Sequence, residues 1–333
     1  VISRLSPLHM KIAITGGSGF IGTNYIDYLL SMHGVSLINI DKSPPRFCAH
    51  QPFWEECDIL DFYKLNSILH DFNPDVIVHL AADTGVDLEH IHHFRANYDG
   101  VNNLICACAN LVSLKKIIFT STLLVCEIGY IPHSDIDYRP TTVYGESKVM
   151  GEKIVRSSSL NACWSIIRPI SIWGPWNEEP YLSFFKSVIN GWYFHIGSGH
   201  YKRSLGFVYN TVRQIHSIVM ADDKEVCSKT FYLADPSPAD LHYMAEVIRE
   251  YSVSRKIIAL PVAIAKLIAR LGDYLQRMGW RKVPLTSFRL KNIVTSYVFD
   301  LSPIVNLSDF NYDDIHLGVK KTLDHIKRQD TIS

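Results

Sequence analysis

The chain has 333 residues, and its 33 lysines and arginines balance 33 aspartates and glutamates. That length suits one large α/β domain, or a main domain with a smaller lobe, each with a well-filled core. The charge balance gives no global field that would draw nucleic acid or an anionic membrane to the whole surface. Residues 1–9 carry no helical or strand pattern and are expected to lie outside the fold as a non-native or disordered extension. A short apolar strand, Lys11 to Thr15, then runs into Gly16-Gly17-Ser18-Gly19-Phe20-Ile21-Gly22 and on into a helix through Tyr25, Ile26, Leu29 and Leu30. A second strand, Val35 to Ile40, ends at Asp41, about twenty residues past the last of these glycines. Further strands are expected at Val76 to Leu80, Lys116 to Thr120 and Trp164 to Arg168, with helices at Asp61 to His70, His93 to Leu111 and Thr142 to Ser159 between them. Alternating strand and helix imply a Rossmann-like, doubly wound parallel sheet over 10–169. Beyond Pro169 the pattern loosens into helices near Tyr181 to Asn190, Thr211 to Asp222, Pro238 to Tyr251 and Asp313 to Arg328, with a short strand at Thr230 to Leu233. This reads as a smaller mixed α/β lobe, 170–330, interwoven with the first domain at the carboxyl edge of the sheet, where ligands of open α/β folds bind.

Strand, glycine turn and helix in that order make a dinucleotide site. The glycines let the backbone approach a pyrophosphate, and the helix N-terminus faces its charge. A carboxylate at Asp41 suits a ribose hydroxyl and repels a ribose phosphate, favouring NAD, while Lys42 and Arg46 keep NADP open as the lesser alternative. Downstream, Tyr144 and Lys148 stand four residues apart and share one helix face. An ammonium beside a phenol favours the phenolate and is expected to lower a pKa that starts near 10. Tyr144 is therefore the candidate acid/base and Lys148 its tuner.

Together these residues resemble the extended short-chain dehydrogenase/reductases, including the NAD-dependent nucleotide-sugar epimerases and dehydratases, over nearly the whole chain. The likeness rests on the glycine motif, on Asp58-Ile59, on His79-Leu80-Ala81-Ala82, on Asn97 in its helix, on Tyr-x-x-x-Lys and on the segment Arg168-Pro169-Ile170-Ser171-Ile172-Trp173-Gly174-Pro175. It implies cofactor contacts at Gly16, Gly19, Phe20, Ile21, Gly22, Asp41, Asp58, Ile59, Leu80, Ala81, Ala82, Asn97, Thr120, Ser121, Tyr144, Lys148, Pro169 and Ile172. By the same resemblance Thr122 joins Tyr144 and Lys148 as the catalytic hydroxyl, and Thr84, Thr122, Asn177 and Arg203 face the substrate. Arg203 would bind the diphosphate of a nucleotide sugar as a fixed charged donor. The resemblance also implies a homodimer formed through the helices at 93–111 and 142–159.

Leu123 and Leu124 stand where dehydratases and decarboxylases of this family carry an acid, and a leucine cannot move a proton. Oxidation and reduction at one carbon, or epimerisation through a keto sugar, is therefore favoured over elimination. A sterol-like or other apolar alcohol is the alternative substrate, supported by those leucines, and a non-catalytic dinucleotide sensor is the lesser one. His90, His92 and His93 lack a companion ligand spacing and are read as a solvated helix entrance, with no metal expected. Ile257 to Met278 is read as an amphipathic helix that packs onto the protein in preference to lying on a bilayer, and no run reaches membrane-span length. Seven cysteines without a Cys-x-x-Cys pair or a signal-peptide pattern are expected to be free thiols in the cytoplasm.

Overall fold

The computed structural model describes residues 9–85, 88–197, 199, 201–252, 254–280 and 283–332. The expected extension at 1–9, His9 apart, lies outside the described residues, as does Ser198. The first half of the chain is β1 (Met10–Thr15), α1 (Phe20–Leu30), β2 (Val35–Asp41), β3 (Trp54–Glu56), α2 (Phe62–Phe72), β4 (Val76–His79), α3 (Asp99–Cys108), β5 (Lys116–Thr120), α4 (Val143–Ser157) and β6 (Cys163–Pro169). There follow β7 (Ile172–Trp173), α5 (Tyr181–Ile189), β8 (Phe194–Ile196), β9 (Gly206–Phe207), α6 (Val208–Met220), α7 (Asp223–Val226), β10 (Lys229–Leu233) and α8 (Leu241–Ser252). The last elements are β11 (Ile258–Leu260), α9 (Val262–Arg277), α10 (Ser287–Ile293), α11 (Ser302–Leu307) and α12 (Ile315–Ile332).

A seven-stranded parallel sheet with the order β10-β6-β5-β4-β1-β2-β3 organises the molecule. Its central strands are apolar almost throughout because both faces are covered. Along β1, Ile12 and Ile14 enter one core with Tyr25, Ile26 and Val212, whereas Ala13 enters the other with Leu65, Leu104 and Ile117. Thr15 pairs with His79 and Thr120 with Ile167, so the strand ends align at one carboxyl edge. The order reverses between β1 and β4, which makes that edge the crevice for a ligand.

Four departures from the sequence reading bear on function. The run from His93 to Leu111 is not one helix: a 3-10 turn at Ile91–Asn97 breaks at Phe94 and Tyr98 before α3 begins. Thr230 to Leu233, expected in the lobe, is β10 and pairs with β6 at the edge of the main sheet. Cys163 and Cys227, expected as thiols, form a disulfide, because the chain returns beside the start of β6 and Ser228 N–H donates to the Trp164 carbonyl at 2.7 Å. Cys48, Cys57, Cys106, Cys108 and Cys126 remain free. Finally, α9 packs inward through the small residues Ala265, Ala269 and Gly272, not through its large apolar stripe. A side chain at Gly272 would meet the Leu285 carbonyl oxygen at 2.0 Å, so the helix lies too close there for bulk.

Candidate active site

The turn after β1 is built for close approach. Gly16 has φ +76°, and a Cβ there would sit 2.4 Å from the Ala81 nitrogen; one at Gly22 would sit 2.4 Å from the Gly16 oxygen. The loop after β4, Leu80-Ala81-Ala82, therefore lies against the glycine turn, with Leu80 N–H donating to the Thr15 carbonyl at 2.9 Å. Gly19 caps α1 without a side-chain bond, which leaves the amides of the first turn, at Phe20 and Ile21, to receive an anion. Asp41 accepts from Ser18 N–H at 3.0 Å and Ser43 N–H at 2.9 Å. Burial raises its pKa against the pull of those two bonds. Arg46 donates to the Ser18 and Trp176 carbonyls and pairs with Glu178 at 3.1 Å, while Lys42 lies 3.7 Å from Asp83. Each of the two cations near Asp41 thus already faces a carboxylate.

Asp58 gives one oxygen to Leu60 N–H at 2.9 Å, and Ile59 is buried against Gly100, where a Cβ would meet it at 2.5 Å. Asn97 ties the neighbouring loop to α4. Its oxygen accepts from Asp83 N–H, and its amide donates to the Asp83 carbonyl and to the Ser147 hydroxyl, each at 2.9 Å. Ser147 donates in turn to the Tyr144 carbonyl at 2.7 Å, inside the Tyr-x-x-x-Lys turn. Helix α4 itself starts at Thr142, whose hydroxyl accepts from Gly145 N–H at 3.0 Å, so Tyr144 sits in a capped first turn.

Thr122 ends the segment after β5 and caps a short 3-10 turn, Leu123–Val125, accepting from Leu124 N–H at 3.2 Å. It also hydrogen-bonds the Tyr144 phenol, and that bond lowers the phenol pKa. Burial nevertheless dominates: the Tyr144 phenol is pushed up to about 12, and the Lys148 ammonium is pushed down to about 8. The sequence reading expected a lowered phenol. The correction follows from desolvation, which disfavours both charged forms, while the charges that support Lys148 are those of Glu152 and Asp83. Beside them His79 holds Thr15 Oγ1 at 2.6 Å, and burial, then the Lys148 charge, take it down to about 3. His79 Nε2 and Thr120 Oγ1 are buried without a partner among the described residues, and both residues line a small cavity with Asn97, Ser121, Lys148 and Glu152. Ser121 N–H donates to the Ile167 carbonyl at 2.7 Å, fixing the strand end, and Pro169 and Ile172 close the sheet edge beyond it.

Under this floor lies an ion pair that sequence reasoning missed. Arg168 donates to both oxygens of Glu152, at 2.8 and 2.7 Å, and also to the Tyr232 hydroxyl and the Asp135 carbonyl. Both side chains are almost wholly buried. The available signal was spacing: Glu152 follows Lys148 by one helical turn.

The expected substrate residues lie in different surroundings. Thr84 is exposed. Asn177 lines a different cavity, between α5 and α12, with Tyr181, Leu182 and His325. Arg203, expected as an open fork for a diphosphate, is buried; its terminal nitrogens donate to Asn292 Oδ1 and to the carbonyls of Asn292 and Ile293 at 2.6–3.0 Å. Its Nε alone finds no partner among the described residues. A buried guanidinium must be satisfied, and the end of α10 supplies the acceptors. Cys126 is buried and directs its thiol to the Asp137 carbonyl, and Glu127 pairs with Lys291 of α10 at 3.2 Å. His90, His92 and His93 pack ring to ring on an exposed turn.

A doubly wound sheet with a glycine cradle, an acid at the end of β2 and a buried Thr-Tyr-Lys cluster defines the class of dinucleotide-dependent oxidoreductases. Within that class the chain belongs to the NAD dependent epimerase/dehydratase family, whose profile matches residues 12–234, from β1 through the end of β10. The N-acetyl-alpha-D-glucosaminyl-diphospho-ditrans,octacis-undecaprenol 4-epimerase of Escherichia coli O157:H7 is 26% identical over 96% of this chain and 97% of its own. The 3beta-hydroxysteroid-dehydrogenase/decarboxylase isoform 1 of Arabidopsis thaliana is 24% identical over 95% of this chain and 80% of its own. In fold the chain is similar to UDP-glucuronic acid 4-epimerase of Bacillus cereus, solved with UDP-glucuronic acid and NAD, at a TM-score of 0.73 and 19% identity, covering 96% of this chain and 100% of that one.

Proposed function

We propose that the protein is an NAD-dependent epimerase of a sugar carried on a diphosphate, with nucleotide sugars as its ordinary substrates. The observation that carries this reading is the buried Thr122, Tyr144 and Lys148 cluster with Leu123 and Leu124, not acids, beside it. The relative of matching length acts, by its name, on a diphosphate-linked sugar, and the Bacillus cereus enzyme was solved with one.

The residues fit NAD: the glycine turn leaves no room for a Cβ at Gly16 or Gly22, α1 offers uncapped amides, and Asp41 keeps acceptor capacity for a ribose. The pairing of Lys42 with Asp83 and Arg46 with Glu178 supports NAD over NADP. Bound there, NAD would supply the hydride acceptor and donor that inversion at a sugar carbon through a keto sugar requires. Thr122 holds the reacting hydroxyl and Tyr144 takes its proton. Lys148 steadies the Tyr144 phenolate that accepts this proton, and the phenol so formed gives the proton back when the alcohol re-forms. Leu123 and Leu124 offer no group to remove water from the ring. The same reading pairs two copies through α3 and α4 and places the protein in the cytoplasm.

A Tyr144→Phe variant should lose turnover of UDP-glucose or UDP-glucuronic acid by about 10²–10⁴-fold while NAD still raises its melting temperature. Unchanged turnover would sink the assignment. Steady accumulation of NADH in place of the epimer would make the enzyme a dehydrogenase. One observation favours a second reading, oxidation of a sterol-like alcohol: Arg203 has both terminal nitrogens committed to α10, and no diphosphate is needed there.

A further inference from the structure

Helix α9 is built the wrong way round for a helix that only covers its own protein. Its inner seam is Ala265, Ala269 and Gly272, and its large apolar residues point away. Ile264, Leu267, Ile268, Leu271, Tyr274 and Met278 recur at three- and four-residue steps, so they form one outward stripe; Leu267 is 64% and Leu271 59% exposed. Such a contiguous apolar face on a water-soluble surface marks an interaction site.

The neighbouring charges say what covers it. At one hundred degrees per residue, Lys266, Arg270 and Arg277 fall on a single line along the flank of the stripe, all exposed. The helix has one acid, Asp273, and its carboxylate is engaged by the backbone and hydroxyl of Ser287. Trp280, 61% exposed, extends the face past the helix end. In the strand before the helix, Ile258 of β11 and its register partner Phe194 of β8 are exposed too, with the exposed Arg255 and Lys256 just before Ile258 in the chain. An apolar stripe flanked by cations, with Tyr and Trp at its margin, matches the headgroup boundary of an anionic bilayer. A second copy suits it less well, because two such helices laid together bring their lysine and arginine lines into one seam without a free acid of the helix to answer them. Sixteen residues give about 24 Å of helix, and no described helix is long and apolar enough to cross a membrane, so α9 lies on the surface.

We infer that the outward face of α9 docks on an anionic lipid bilayer. The placement gives the docking a use. Helix α9 packs on α10, whose carboxyl end holds Arg203 and whose Lys291 reaches Glu127, three residues past Leu124. The docked face is therefore carried by the helix pair joined to the substrate side of the sheet.

Flotation of the full chain with phosphatidylcholine vesicles, with and without phosphatidylglycerol, tests this. The protein should float with the anionic vesicles and lose binding as salt rises. Leu267→Glu/Leu271→Glu should weaken partitioning at least about tenfold. Lys266→Gln/Arg270→Gln should weaken it about thirtyfold on anionic vesicles, and little on neutral ones. Unchanged melting temperature and NAD binding establish that the variants are folded. Turnover of a soluble nucleotide sugar should stay at the wild-type level, which keeps this test separate from the catalytic reading. Wild-type protein that stays unbound with anionic vesicles overturns the inference. So does a leucine double variant that floats like wild type, or one that turns a dimer into monomers in sedimentation while flotation persists, which would assign the face to a second copy.

Discussion

At Tyr144, Lys148 and His79 three titratable groups share a desolvated floor, and each is displaced toward its neutral form. With Lys148 pushed down to about 8, its ammonium is lost as pH rises through that value. The step that needs a cation beside the phenolate should therefore fail on the alkaline side, and kcat/KM should fall above about pH 8. Glu152 is the first of the charges that hold the ammonium on, so Glu152→Gln should move that alkaline limb to lower pH; a limb that stays in place would show that Lys148 is not the group seen. His79 carries a stability consequence of opposite pH range. Its folded pKa of about 3 lies well below the unfolded value near 6.5, so between them the unfolded chain binds the extra proton. The contribution is present above about 6.5 and is lost as pH falls toward 3. Asparagine at this position keeps an acceptor near the Thr15 hydroxyl but cannot titrate. Urea midpoints at pH 7 and pH 5 should consequently differ less in His79→Asn than in wild type.

Elements explain why these residues meet. The start of α4 was readable, since Thr142 is a ready N-cap and Tyr144 and Lys148 share a face. The break in the preceding helix was not, because it depends on Asn97 finding Asp83 and Ser147, partners 14 and 50 residues away. Gly151 shows the same closeness from the other side: a Cβ there would meet the Asn97 carbonyl oxygen at 2.3 Å. The bonds of Arg203 were out of reach for a related reason, since only the folded chain brings the α10 carbonyls to it from 89 and 90 residues away. The Glu152 and Arg168 pair bolts α4 to β6, and its worth lies in its two partners being present together. Removing one charge leaves the other buried without an answer, so Glu152→Gln should destabilise by about 3 kcal/mol in urea unfolding. Replacing both residues with apolar ones of similar volume should destabilise less than the single change. A double variant worse than the single one would refute that account of the pair.

Over the whole molecule, the parallel sheet was legible because strands buried on both faces announce themselves as apolar runs between helical periods. The region after Pro169 was less so. Its chain leaves the sheet for α5 and α6 and then returns to add β10 beside β6, a pairing set by tertiary contact and not by local pattern. That return is also what brings Cys163 and Cys227 to a Cα separation of 5.0 Å across a span of 64 residues. Counting cysteines could not find this pair, and the reducing-compartment argument does not extend to these two positions. Closing a loop of this length restricts the unfolded chain by about 4 kcal/mol in the chain-entropy account. The closed segment contains α5 and α6, and α6 packs on α1 directly behind the glycine turn. Loss of the bond should accordingly be felt at the dinucleotide end as well as in overall stability. Reductant should lower the urea midpoint of the wild-type protein and leave that of Cys163→Ser unmoved, and the stabilisation of the fold by NAD should be smaller in reduced wild type and in Cys163→Ser than in the unreduced wild type. A wild-type midpoint indifferent to reductant, with seven thiols titrating in the unreduced denatured chain, would mean that the two sulfurs only lie near each other.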